Sequence, residues 1–182
     1  MIYTPAEDSY LLQKYVKKYA KNKSILDIGT GQGIQAITAL NSKAKSVTAI
    51  DINKEAIESL KTLQPKINSI HSNLFSKVAK GSNFDLIIFN PPYLPLDNRE
   101  PKQSRLATTG GRQGDEIILR FLKKVTKYLN KNGKVLLVLS SLTPQKKIIF
   151  LLKELELVKK ILSKQKVFME TLEVWEIKHN NP

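Results

Sequence analysis

The chain of 182 residues has no cysteine and only two histidines, His71 and His179. Disulfides and thiolate metal sites are thereby excluded, and two imidazoles are too few for a transition-metal centre built by the protein alone, so no metal is expected. No apolar run approaches the length that spans a bilayer, and Met1-Ile2-Tyr3-Thr4-Pro5 lacks the charged-then-apolar layout of an export signal. A soluble, cytoplasmic protein without a membrane contact is the expectation. Acidic residues are scarce as well: sixteen Asp and Glu against thirty Lys and Arg leave a net charge of +14. Charge of that size bears on association rather than on fold, and it leaves open a nucleic-acid partner on the basic surface. Much of the excess is lysine spread along predicted helices, at Lys14, Lys17, Lys18, Lys123, Lys124 and Lys127 for instance, which is also how a solvated face looks.

What is present is organised around one stretch. Phe84-Asp85-Leu86-Ile87-Ile88-Phe89 is a short apolar run of the kind that makes a buried parallel strand, and Asn90-Pro91-Pro92-Tyr93 follows where that strand ends. In open α/β sheets the carboxyl ends of strands are where ligands bind. Two consecutive prolines fix φ twice and supply no backbone N–H, so the exit is stiff and its carbonyls can only accept. The Asn90 amide adds an acceptor and Tyr93 an aromatic face. Together they suit a planar group whose NH2 hydrogens are both received while its π face is stacked. Read alone, the same four residues are also an ordinary turn after a strand.

Along the chain, Thr4-Pro5-Ala6-Glu7 predicts a helix start with Thr4 as N-cap and Glu7 closing a capping box, followed by an apolar face of Leu12, Tyr15, Val16 and Tyr19. Residues 1–22 thus form an N-terminal helix lying over the sheet or its mouth. Strands are expected at Ser24–Gly29, Ser46–Ile52 and Ile67–His71, with Asn53 capping the helix that runs to Leu63 before Pro65. Residues 94–114, with two prolines, three glycines and no period, read as a long functional loop that contacts substrate. A helix is expected over Asp115–Asn130, ended by Asn132-Gly133, then a strand at Lys134–Leu139 and a helix from Pro144 to Leu155. Val158–Phe168 and Leu172–Ile177, joined near Met169-Glu170, make an antiparallel pair at one edge. Strand and helix otherwise alternate, so the fold class is α/β, one Rossmann-like domain over residues 1–182 with helices on both faces of a mainly parallel sheet.

Asp27-Ile28-Gly29-Thr30-Gly31-Gln32-Gly33 lies at a strand-to-helix turn, where glycines such as Gly29 and Gly31 let a ligand approach the backbone. A dinucleotide loop would read Gly-x-Gly-x-x-Gly; here the third glycine comes one position early and an acid leads. Asp27 at the strand end can receive an ammonium or amide N–H, and Asp51 at the end of the second strand can take both hydroxyls of a ribose. An adenosine with a zwitterionic amino-acid tail and no phosphate fits this set better than NAD. S-adenosylmethionine is that molecule.

The loop Asp27–Gly33, Asp51-Ile52-Asn53, Asn73-Leu74-Phe75 and Asn90-Pro91-Pro92-Tyr93 together resemble the HemK/PrmC glutamine methyltransferases of class 1 release factors. More narrowly, the stretch Tyr3–Leu12, Gly110-Gly111-Arg112-Gln113-Gly114 and Glu170-Thr171-Leu172-Glu173-Val174 resemble the short archaeal and eukaryotic branch of that family. The resemblance implies a class I S-adenosylmethionine-dependent methyltransferase fold with seven strands in the order 3-2-1-4-5-7-6, strand seven antiparallel. It further implies an enzyme that methylates the side-chain amide nitrogen of a glutamine in a translation release factor. Donor contacts are implied at Ser9, Asp27, Gly29, Asp51, Asn73 and Leu74, and Asn90 would touch both donor and acceptor beside the catalytic Pro91, Pro92 and Tyr93. Where Asn73 stands the family usually has an acid that receives the adenine amino group; the Asn carbonyl could do so without charge assistance. Asn-Pro-Pro-Tyr also resembles the motif of adenine-N6 methyltransferases of RNA or DNA, which leaves that reaction as the alternative. The same branch implies a partner, a small zinc-binding activator subunit, and an edge third strand flanked by Leu63, Ile67 and Ile70 offers it a place to add a strand.

Overall fold

A strand buried on both faces is apolar at most consecutive positions, and the runs Ile25–Ile28, Leu86–Phe89 and Val135–Ser140 are buried at every residue, Asp27 and Ser140 being their polar members. The computed structural model describes residues 2–99, 101, 105 and 108–180. Its strands are β1 (Ser24–Ile28), β2 (Ser46–Asp51), β3 (Asn68–His71), β4 (Phe84–Phe89), β5 (Leu129–Ser140), β6 (Leu157–Val167) and β7 (Glu170–His179). They form one sheet in the order β3-β2-β1-β4-β5-β7-β6. The first five are mutually parallel, and β7 runs antiparallel to both β5 and β6.

Helices α1 (Glu7–Tyr19), α2 (Ile34–Asn41) and α3 (Lys54–Leu63) cover one face, and α4 (Glu116–Val125) and α5 (Lys146–Glu154) the other, with a 3-10 turn at Leu74–Lys77. Alternate strand residues feed the two cores: Leu86, Ile88, Leu136 and Val138 pack with α1 and α2, whereas Ile87, Phe89, Val135 and Leu137 pack with Phe121 and Ile148. Asn53 caps α3 as expected, its side chain accepting from Glu55 N at 3.0 Å.

Five local expectations are corrected. Helix α1 starts at Glu7 with Ala6 at the cap and no side-chain cap bond; the Thr4-Pro5 segment stays outside the helix, and the Tyr3 hydroxyl donates to Asp8 instead. Helix α4 ends at Val125, and Asn132-Gly133 lies inside β5. The β4–β5 register shifts there, because Asn130 donates to Asp85 across the strands at 2.7 Å and a Cβ on Gly133 would meet the Phe84 carbonyl at 2.9 Å. Ile67, read as an edge side chain, is 3% exposed inside the α1/α2 core, so only Ile70 and Leu63 remain near the β3 edge. The predicted helix at Pro144 begins two residues later, at Lys146, and Phe168 falls in the turn rather than in β6.

Candidate active site

Every loop leaving the carboxyl ends of β1, β2, β3 and β4 contributes to one cavity of about 230 Å³. Strand order sets its layout: Asn73 and Leu74 follow β3, Asp51 ends β2, Gly29 and Gly31 follow β1, and Asn90 to Tyr93 follow β4. Nine of the eleven residues expected from the sequence therefore meet on one wall, from Gly29, Gly31, Asp51, Asn73 and Leu74 to Asn90, Pro91, Pro92 and Tyr93. Ser9 and Asp27 do not line it. Ser9 sits directly behind Asn90, and Asp27 lies beneath the glycine loop, 1% exposed, accepting from Thr30 Oγ1 at 2.7 Å and Ala36 N at 3.1 Å.

Asp51 joins the loops that frame the cavity. Its Oδ2 accepts from Gly31 N and its Oδ1 from Asn53 N, both at 2.8 Å. A carboxylate oxygen has two lone pairs, so each can still take a hydroxyl, and the residue fits a ribose diol while holding the glycine loop open. Nearby, Asn73 Oδ1 accepts from Arg120 Nη2 at 3.1 Å. The sequence reading missed Arg120, which comes from α4 and also lines the cavity. No local signal in that amphipathic helix marks it.

Asp8 was missed too, and it is the hub of the acceptor side. Although it sits in the first turn of α1, where acids ordinarily offset the helix dipole, its Oδ1 accepts from the Tyr3 hydroxyl at 2.7 Å and from Ser9 N and Oγ. Its Oδ2 accepts from Asn90 Nδ2 at 3.1 Å and the Tyr93 hydroxyl at 3.3 Å. Burial, reinforced by the Asp8 charge, pushes both phenols well above their ordinary range, so Tyr3 and Tyr93 stay protonated and remain donors. Because a carboxylate only accepts, the bond to Asp8 fixes which end of the Asn90 amide is nitrogen. Asn90 Oδ1 is then turned elsewhere, buried and without a hydrogen-bond partner. An orphaned acceptor of this kind costs free energy unless a ligand donates to it.

The Gly110–Gly114 segment is packed on the backbone of the β4 exit. A Cβ on Gly110 would lie 2.6 Å from the Pro92 carbonyl, and one on Gly114, at φ +92°, 2.6 Å from that of Tyr93. Only glycine permits this approach, and Thr143 Oγ1 donates to the same Tyr93 carbonyl at 2.9 Å. The expected 94–114 loop closes on itself, with Leu94 N bonded to Thr108 O and Gly110 N to Leu94 O, both at 2.9 Å. Residues 100, 102–104, 106 and 107 of that loop lie outside the described residues.

Among the described residues no group of His, Cys, Asp and Glu side chains could hold a metal ion, and no helix is long and apolar enough to cross a membrane. The cleft thus has a carboxylate, an amide and a glycine loop along one end and, at the other, an amide whose buried oxygen has no hydrogen-bond partner.

Comparison with known proteins finds clear relatives. The methyltransferase small domain family matches residues 7–169. A Methanocaldococcus jannaschii protein assigned as a protein N5-glutamine methyltransferase is 40% identical over 95% of this chain and 89% of its own length. The release factor glutamine methyltransferase of Rhodopirellula baltica is 36% identical over 64% of this chain, which spans 44% of that protein. Among solved structures, the E. cuniculi Mtq2-Trm112 complex, responsible for methylation of the eRF1 translation termination factor, contains a chain 28% identical. It superposes with a TM-score of 0.76 over 98% of both chains.

Proposed function

Since this chain belongs to the methyltransferase small domain family, we propose that it methylates the side-chain amide nitrogen of a glutamine in a class 1 translation release factor, with S-adenosylmethionine as donor. The observation that carries the proposal is the Asn90 amide, clamped through Nδ2 by Asp8 with its buried Oδ1 unpartnered. A glutamine amide nitrogen is a poor nucleophile because its lone pair is delocalised into the carbonyl. Asn90 Oδ1 and the Pro91 carbonyl receive its two N–H groups, orient the NH2 and stabilise the positive charge that builds on nitrogen during transfer. Tyr93, its hydroxyl held by Asp8, covers the amide plane. S-adenosylmethionine, when bound, supplies an electrophilic methyl on a sulfonium sulfur. Asp51 holds the ribose diol, Asn73 and Leu74 face the adenine, and the Gly29–Gly31 backbone faces the amino-acid tail. Ser9 and Asp27 support that wall from behind. The remaining acceleration is alignment of nitrogen, methyl and sulfur.

Residues 94–114 are assigned to substrate contact, since both ends of that loop frame the β4 exit. A small activator subunit, zinc-binding in the branch that this chain resembles, is the proposed partner at the β3 edge. Support comes from the unpaired outer side of β3, the exposed Leu63 beside it, and the two-subunit state of the solved Mtq2-Trm112 complex.

A second reading rests on the net charge of +14 and on the same Asn90 acceptor, which suits an adenine N6 amino group equally well. Labelled donor incubated separately with translation factors, tRNA, rRNA and DNA decides between them. Label on a release-factor glutamine is the expected result; label in a nucleic-acid pool with none in the factor overturns the proposal.

A further inference from the structure

The turn between β6 and β7 breaks two rules at once. Val167 pairs with Glu170, so the loop has only two residues, Phe168 and Met169. Tight turns of this length require a positive φ at the first position, and Asn or Gly normally supplies it. Here Phe168 adopts φ +47°, a left-handed conformation that a bulky side chain takes only under strain. The same two side chains are also the most exposed large apolar groups described, Phe168 at 92% and Met169 at 81%. Neither choice helps the fold.

Position gives the turn a use. β6 and β5 are both antiparallel to β7, so the turn stands at the carboxyl end of β5, the end that carries the cavity. It is tied to the acceptor wall: Ser140 Oγ donates to Glu170 Oε2, Ser141 and Thr171 exchange hydrogen bonds, and Thr143 holds the Tyr93 carbonyl. The Glu170 carboxylate is near enough to help push the Tyr93 phenol up. Exposed Leu142 and Leu96 lie on the neighbouring loops, after β5 and after Tyr93. The charges flanking the turn, Lys166 and Glu170, cancel, so the tip is apolar and neutral within a basic chain.

We propose that Phe168 and Met169 form a docking element for the protein substrate, inserting against an apolar side chain that flanks the methylated glutamine in its loop. This rests on the release-factor reading above. A neutral, apolar tip beside a carboxylate fits a polypeptide; a phosphodiester backbone would call for cations there. Exposed aromatic and thioether side chains at the edge of a cleft are the kind that anchor protein interfaces.

The test exploits the broken turn rule. Phe168→Gly combined with Met169→Asn gives the tip the sequence that a turn with positive φ at its first position alone prefers, so the variant folds at least as well as the parent. With the release factor labelled in the preceding assay as substrate, the variant should show a KM about tenfold higher, the size expected for losing an interface anchor. Its kcat, its donor affinity by calorimetry and its unfolding midpoint should not fall, and Phe168→Tyr with Met169→Leu should restore the parental KM. An unchanged KM in the Gly-Asn variant, or a rise accompanied by weakened donor binding, overturns the docking element alone. A parent protein that leaves every release factor unmodified overturns the underlying reading, and this proposal with it.

Discussion

At the amino end of the sheet, part-buried Asp85 accepts from Ser24 N and Oγ and from Asn130 Nδ2, stapling β1, β4 and β5 together. Burial alone would push its carboxyl up; the hydrogen bonds and Lys23 outweigh it and hold the group below its usual range. At the carboxyl end of the same strands, Asp27 has only Thr30 and Ala36 as donors, and burial, with some help from Asp51, pushes it up to about 7. One strand further, Asn90 Oδ1 has no partner at all. Both ends bury polar groups in one sheet, yet one end satisfies them internally and the other leaves capacity for a guest. That asymmetry separates the residues that hold the protein together from those that work.

The strongest way to break the comparison is Asn90→Ala. Turnover should drop by about 10² to 10³, as for loss of one preorganised transition-state partner, while calorimetry shows donor affinity little changed. Substantial residual transfer would mean that the orphaned oxygen is not the acceptor. Asp8→Ala comes next. With the Asn90 amide no longer clamped, kcat should fall by roughly 10 to 100-fold, the range for residues that orient a catalytic ligand. Because Asp8→Glu can still accept from Asn90 after a small shift, it should recover part of the rate, which a purely structural role would not give.

At the amino end the expected signature reverses. Asp85→Ala should lower stability by about 1 kcal/mol, the lower part of the range for an abandoned hydrogen-bonded group because the site is partly exposed. Donor affinity and turnover should be untouched at temperatures where the protein is folded. A variant that folds normally but loses activity would erase the distinction between the ends. Asp85 stabilises the fold above the unfolded carboxyl value of 3.8, and that contribution disappears as pH falls through its lower folded value.

Asp27 gives a pH trend with the opposite sign. Between 3.8 and about 7, folded Asp27 keeps a proton that the unfolded chain has released. Stability contributed by this group therefore declines as pH rises through that window, and levels off above it. Unfolding midpoints measured from pH 4 to 8 should fall less for Asp27→Asn than for the parent. Parallel curves would show that Asp27 titrates like an ordinary surface acid.

Much of this was legible in the chain. Strands β1, β4 and β5 announce themselves because both faces are covered and most central positions are apolar, and the glycine loop, Asp51 and Asn90 are readable because each follows such a run. Strand order came through family resemblance, since nothing in the runs themselves places β3 outside β2. What stayed hidden is tertiary. Asp8 looks like a helix-dipole acid until Asn90, 82 residues away, is brought against it, and Arg120 reads as one more cation on an amphipathic helix. Ile67 was misplaced because a four-residue strand gives too little pattern to tell its faces apart. Asn132-Gly133 was misread as a helix stop, since the pair that ends a helix also makes a bulge.

Helix α1 touches the far end of the chain. Tyr15 donates to the Leu162 carbonyl and Tyr19 to Glu176, contacts spanning 147 and 157 residues. During synthesis α1 emerges before β6 and β7, which hold its far end, and Asp8 clamps Asn90 from the first turn of that helix. Nascent chains that contain the donor loop and β4 but not β7 should thus hold α1, and with it Asp8, less firmly. The last restraints on the acceptor would then arrive with β6 and β7, which close the longest loops in the fold.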